Sequence, residues 1–232
     1  KEGEPFEEEP FRKAEVAMRR VLTDRGRAWA KVERRADVDL PAHHATLHFD
    51  VRPGPMATFG AVKISGLGDL PEAPVRRALD IEPAEPYSTS ALEAAEQAAL
   101  NLGTFSSVEI TPELPEPPPP GAVVPLAVRV QRQKLRSVLL GGGIEIDSIR
   151  TAAHLHVGWE HRNLFGGFRH FTVDFKPGLD LYPTRLPEFQ APTAVLPEER
   201  LRAELRQPGF IEARTNGVIS QELNTYPVLL AP

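Results

Sequence analysis

Apolar residues recur along this chain at two different periods, and the change falls near Gln133. Before it, helical and strand-like spacings are mixed. Phe11, Ala14, Met18, Val21 and Leu22 share one face of a helix that Gly26 ends. Segments 29–38 and 45–51 then read as two strands, closed by Pro53-Gly54-Pro55. Residues 59–65 predict a short strand stopping at Gly66, and Val75, Ala78 and Leu79 mark a short helix. A clearer helix follows Tyr87. Ser90 and Glu93 have capping-box spacing, Leu92, Ala95, Ala99 and Leu102 share a face, and Gly103 is placed to stop it. Strands are expected over 107–113, with Val108 and Ile110 on one face, and over 123–131. The order is strand, helix, helix, strand, strand. Parallel pairing of the first and last strands, with both helices on one face, makes a compact two-layer module over 56–133. Residues 1–55 repeat the later part of that order and read as a partial copy. The Pro-rich run 115–121 reads as a stiff hairpin loop, with an SH3-type ligand as the functional alternative.

After Gln133 the period is two. Ile149, Thr151, Ala153, Leu155, Val157 and Trp159 alternate with Arg150, Ala152, His154, His156, Gly158 and Glu160. Phe171, Val173 and Phe175 oppose His170, Thr172, Asp174 and Lys176; Leu201, Ala203 and Leu205 oppose Arg200, Arg202, Glu204 and Arg206. Such alternation marks a half-buried strand, whose apolar side meets another sheet in a soluble sandwich or lipid in an outer-membrane barrel. The lengths fit tilted spanning strands of about 9–11 residues. Several charges on each polar face favour a wet lumen.

Composition narrows the classes. The 232 residues are 41% apolar and 25% charged, which excludes wholesale disorder. No apolar run approaches the about 20 residues of a membrane-spanning helix. The absence of Cys removes disulfides, thiolate zinc sites and Cys nucleophiles. A pI near 5.9 and a net charge of −5 argue against a nucleic-acid partner. All of that charge lies in residues 1–133, with 16 Lys/Arg against 21 Asp/Glu, while 134–232 balance at 11 and 11. The start at Lys1-Glu2-Gly3 reads as a mature or excised piece.

No catalytic constellation emerges, and the chain reads as a non-enzyme. His154 and His156 could share a metal, but no third ligand is near in sequence, so a polar lumen-facing pair is the simpler reading. His43, His44 and His48 read as solvated surface. Gly141-Gly142-Gly143 lacks the Lys-Ser/Thr of a phosphate loop. Glu145 and Asp147 share a strand face without an apolar setting that would raise a pKa. What remains is binding by backbone. With 123–131 in the middle of the module's sheet, the strand through Ser107, Val108, Glu109, Ile110 and Thr111 is an exposed edge that an extended polypeptide could extend.

Three stretches carry a family resemblance: Phe59-Gly-Ala-Val-Lys-Ile-Ser-Gly66, Pro86-Tyr87-Ser88 and Leu102-Gly-Thr-Phe-Ser-Ser-Val-Glu109. In this order they resemble a polypeptide-transport-associated (POTRA) domain, and 22–32 with Val51-Arg-Pro-Gly-Pro55 resemble the end of a preceding one. Leu139-Leu-Gly-Gly-Gly-Ile-Glu-Ile-Asp147 looks like the first barrel strand of the BamA/TamA family. Gly158-Trp-Glu-His-Arg-Asn-Leu-Phe-Gly-Gly167 resembles its second strand and turn, and Leu205-Arg-Gln-Pro-Gly-Phe210 its fourth strand and the step beyond. The resemblance implies α+β POTRA modules (β-α-α-β-β) followed by antiparallel β strands of a truncated outer-membrane β-barrel. The expected domains are a partial POTRA over 1–55, a complete one over 56–133, and about five N-terminal barrel strands over 134–232, placed by the resemblance near 136–146, 149–161, 168–180, 199–207 and 213–224. The family barrel has many more strands, and about five cannot close. The implied function is an outer-membrane assembly and insertion factor with its POTRA modules in the periplasm of a bacterium. Its partners would be unfolded outer-membrane or autotransporter polypeptides, the outer-membrane bilayer and a periplasm-spanning protein, with no cofactor. The first-strand edge through Leu139, Leu140, Gly141, Gly142, Gly143 and Ile144 would pair weakly and template client strands. A two-partner secretion transporter, a soluble β scaffold and an enzyme fused upstream are the alternatives.

Overall fold

A computed structural model of the chain describes residues 5–147, 150–182, 184, 191–213 and 215–227. It divides into two compact units, one of residues 1–72, 79–101 and 107–131 and one of 73–78, 102–106 and 132–232.

The first unit opens with α1 (Glu8–Thr23), then β1 (Lys31–Asp39) and β2 (His44–Arg52), an antiparallel hairpin with Val32 opposite Val51 and Arg34 opposite Phe49. Phe11 anchors α1 on this hairpin. Its ring lies 5.1 Å from Phe49, and the Arg34 guanidinium sits 5.4 Å above it while pairing with Glu15 at 2.8 Å. Ala14 and Leu22 of the expected face are half-buried. Met18 and Val21 are exposed, because no element among the described residues covers them.

β3 (Thr58–Ser65), α2 (Glu72–Leu79), α3 (Thr89–Leu100), β4 (Phe105–Pro112) and β5 (Val123–Arg132) follow. Their sheet has the order β3-β5-β4, with β3 and β5 parallel. Val124, Leu126, Val128 and Val130 alternate inward along β5, and Leu92, Ala95 and Ala99 form the buried stripe of α3. A contiguous core joins Trp29, Phe59, Tyr87, Leu92, Val124 and Leu126. Gly66 is required where β3 ends. Its φ is 91°, and a Cβ there would overlap the Val130 carbonyl oxygen at 2.0 Å.

Three local expectations are corrected. The α3 N-cap is Ser88, whose hydroxyl accepts from the Ala91 N–H, so the Ser90–Glu93 spacing is not the cap. Ser90 instead gives its N–H to the Asp24 carboxylate at 2.8 Å, a contact from a distant segment that local spacing cannot show. Trp29 lies in a turn before β1, because its ring enters the shared core and its Nε1–H donates to the Pro115 carbonyl at 3.0 Å. Leu102 is buried but lies beyond the end of α3.

In the second unit five antiparallel strands form an open sheet in the order β10-β9-β8-β7-β6. They are β6 (Arg136–Ile146), β7 (Thr151–His161), β8 (His170–Tyr182), β9 (Ala194–Pro208) and β10 (Asn216–Thr225). All five expected strands are present, the fourth several residues longer at its start. Ile149, expected in the second, lies outside the described residues. Phe168 is fully buried, edge-on to Phe105 at 5.8 Å, and His170 Nε2–H donates to the Leu102 carbonyl at 2.7 Å.

Candidate functional site

Two strand edges and one two-faced sheet make up the candidate site. β5 is the middle strand of the module, so β3 and β4 are its outer strands. The outer edge of β3 is partly occupied: the Phe59 N–H donates to the Glu85 carbonyl and the Phe59 carbonyl accepts from the Ala84 N–H. Among the described residues no strand pairs with the outer side of β4. The Glu113 N–H, just past β4, donates to the Pro125 carbonyl at 2.9 Å. Backbone groups alternate sides along a strand, so the N–H groups of Thr111 and Glu109 point with it toward β5. Those of Ile110 and Val108 then point outward. Val108 is buried and Ile110 packs partly against the core, so the side chains hold the strand while its edge stays open.

In the five-stranded sheet, residues opposite one another share a face. One row reads Val138, Trp159, Val173, Ala203 and Gln221; the next reads Leu140, Val157, Phe175, Leu201 and Leu223. Ile144, Ala153, Leu179 and Pro197 continue it. The other face carries Leu139, Gly158, Asp174, Arg202 and Glu222 in one row, and Ser137, Glu160, Thr172, Glu204 and Ser220 in another. The register therefore joins separate alternations into one continuous apolar sheet face and one charged face. The apolar rows of β6 extend over 138–146, about 30 Å along the strand at ~3.4 Å per residue. A 35–45° tilt reduces that to about 20–25 Å, close to the apolar band of an outer-membrane barrel.

The charged face is internally paired. His156 Nε2 lies 2.9 Å from Asp174 Oδ1, Arg162 and Ser137 both donate to Glu160, and Arg200 donates to Asn224 at 3.1 Å. Asp180, almost fully buried, takes a 2.6 Å hydrogen bond from Arg150. Sequence reasoning missed that pair because Arg150, just before β7, and Asp180, on β8, lie far apart in sequence. His154 and His156 do share this face, but no metal-binding cluster occurs among the described residues. A Cβ at Gly143 would stand 2.9 Å from His154 Nε2, so the imidazole would have to shift to admit one.

β6 is an outer strand of its sheet, so Leu139, Leu140, Gly141, Gly142, Gly143 and Ile144 lie on an edge that no described strand pairs. Ser107, Val108, Glu109, Ile110 and Thr111 lie on the outer strand β4. The two sets belong to different sheets.

Residues 57–133 match the POTRA family model, described as a surface antigen variable number repeat, and this stretch is a POTRA domain. No curated protein sequence matches the chain. In fold the chain is similar to BamA from Haemophilus ducreyi lacking POTRA domains 1–3, with 13% identity and a TM-score of 0.51 over 97% of this chain and 59% of that one. It is also similar to Haemophilus influenzae BamA POTRA3–5, with 18% identity and a TM-score of 0.50 over 55% of this chain and 49% of that one. The chain thus spans 49–59% of the length of these structures. The class is α+β POTRA modules followed by antiparallel strands in an open sheet, the fold of BamA. The likeness to these structures is one of fold, and it agrees with the fold that the motifs implied.

Proposed function

We propose that this chain is the POTRA-to-barrel part of an outer-membrane assembly factor. Its modules stand in the periplasm, and its five strands lie in the outer membrane with the apolar face toward lipid. The outer edge of β4 receives unfolded outer-membrane or autotransporter polypeptides by strand addition, and the edge of β6 offers a template for a client strand. Main-chain hydrogen bonds carry such recognition, so one edge serves many client sequences. The energy comes from the client's own folding, and neither a nucleotide nor a cofactor is needed.

The observation that supports this reading best is the open side of β4, where Ile110 and Val108 turn their N–H groups away from β5 while their side chains hold the strand to the core. The test compares Ile110→Pro with Ile110→Ala in the membrane-reconstituted protein. The proline deletes an outward donor, whereas the alanine trims the side chain and keeps the N–H. Ile110→Pro is expected to slow assembly of an unfolded barrel client about tenfold, with Ile110→Ala near the parent and both modules folded by circular dichroism. Equal assembly by the two folded variants would overturn strand addition at this edge.

A further inference from the structure

We propose that the end of the sheet nearest the POTRA domain in sequence holds the phosphate of an anionic phospholipid, between Arg136, Lys134 and His161. This rests on the reading that the apolar face lies in a bilayer. Along the β6–β7 pair, successive rows of that face are Leu140 with Val157, Val138 with Trp159, and Arg136 with His161. The rows change from aliphatic to aromatic to cationic, the order in which hydrocarbon, interface and headgroup are met on leaving a membrane. Trp159, His161 and Phe171 form one edge-to-face aromatic group, with rings 5.9 Å apart. Just beyond lies an open cavity of about 790 Å³ lined by Lys134, Arg136, His161, Asn163 and Phe165 among others. Phe165 is 86% exposed at its rim.

The charges in this cavity are available. No carboxylate pairs with Lys134 or Arg136 among the described residues. The nearby Glu160 points to the other face, where Arg162 and Ser137 already occupy it. His161 Nδ1 accepts the Asn163 N–H at 3.2 Å, so its proton sits on Nε2, which is then a donor for an anion. Three donors of this kind around an open cavity suit a phosphodiester, and the apolar rows beside them suit its two chains.

The experiment reads Trp159 fluorescence in the full chain reconstituted in vesicles, with acyl-brominated phosphatidylglycerol or acyl-brominated phosphatidylcholine as quencher. Trp29, buried in the first unit, supplies a constant background. The anionic lipid is expected to quench at about fivefold lower mole fraction for each basic side chain engaged. Lys134→Gln with Arg136→Gln removes that preference and leaves quenching by phosphatidylcholine unchanged. Arg136→Lys retains most of it, as does Arg200→Gln on the charged face. Inorganic phosphate at matched ionic strength leaves it in place; displacement by phosphate would overturn a lipid as the ligand. Equal quenching by the two lipids in the parent, or a preference that survives the double variant, overturns the site while leaving the bilayer reading intact. Absence of quenching by either lipid overturns both.

Discussion

β5 and β6 are consecutive strands that each carry aliphatic residues along one face, and they meet opposite fates. On β5, Val124 and Leu126 are completely buried. On β6, Val138, Leu140 and Ile144 are 67%, 74% and 73% exposed. β5 is paired on both sides and β6 on one, but lateral pairing covers neither face of a sheet. The POTRA sheet has protein stacked on its apolar side: Leu92 from α3, and the Phe59 and Tyr87 rings 5.4 Å apart. Among the described residues, those on the apolar side of the five-stranded sheet are 38–75% exposed on β6, β9 and β10 at Val138, Leu140, Ile144, Leu201, Ile219 and Leu223, with no core cluster over them. A fully buried Leu or Val side chain contributes about 1.5–3 kcal/mol relative to exposure. The POTRA core gains this from its own protein, whereas the open sheet can gain it only from something outside the described chain. Hydrocarbon is a medium that covers a whole continuous face at once.

That contrast can be broken most sharply at matched leucines. Leu126→Asp places an unpaired charge in the POTRA core and should cost at least about 4 kcal/mol, enough to abolish the cooperative unfolding transition of the module. Trp29→Ala should cost about 3–5 kcal/mol, because it empties a site shared by two segments and frees the Pro115 carbonyl. Denaturant melts of the two variants and the parent measure both losses.

Leu140→Arg sharpens the same comparison from the other side. In a bilayer it should destabilise the folded sheet by about 2–4 kcal/mol, while Leu139→Arg on the charged face should change it by much less. Reversible folding into vesicles measures the pair. If the apolar face met only water, the two variants would behave alike.

The smallest effect concerns Asp24. Burial pushes its carboxyl up, but the Ser90 N–H, the Ser90 and Ser88 hydroxyls and Arg20 together outweigh that and hold it below the usual Asp value. A carboxyl with a depressed folded-state pKa stabilises fully above its unfolded value. That contribution disappears as pH falls through the folded value. Asp24→Asn should therefore cost about 1 kcal/mol at neutral pH and flatten the acid limb of the stability curve below about pH 4. Unfolding midpoints across that range measure both features.

Much of the fold was readable from local pattern. The alternating sides of β7 follow from its own residues, the bounds of β6 from the family resemblance of 139–147, and the parallel β3–β5 pairing from the strand-helix-helix-strand-strand order. The candidate edges were legible too, because a three-stranded sheet with β5 in the middle must leave β4 outside. Contacts between distant segments were not. Asp24 at the start of α3, Trp29 in the core beneath β3 and β5, and Arg150 on Asp180 each join residues far apart in sequence. A single chain carries no local trace of such pairs. The α1 face failed for the complementary reason: its spacing is helical and apolar, but no described element lies over Met18 and Val21.

The order of residues determined where strands and helices form and which side of each is apolar, because backbone geometry repeats every two or 3.6 residues regardless of surroundings. Only the tertiary structure decided which apolar sides become a dry interior, which edges stay unpaired, and how separate stripes align into one surface. Register and stacking are set by contacts between remote segments, and those exist only once the chain has come together.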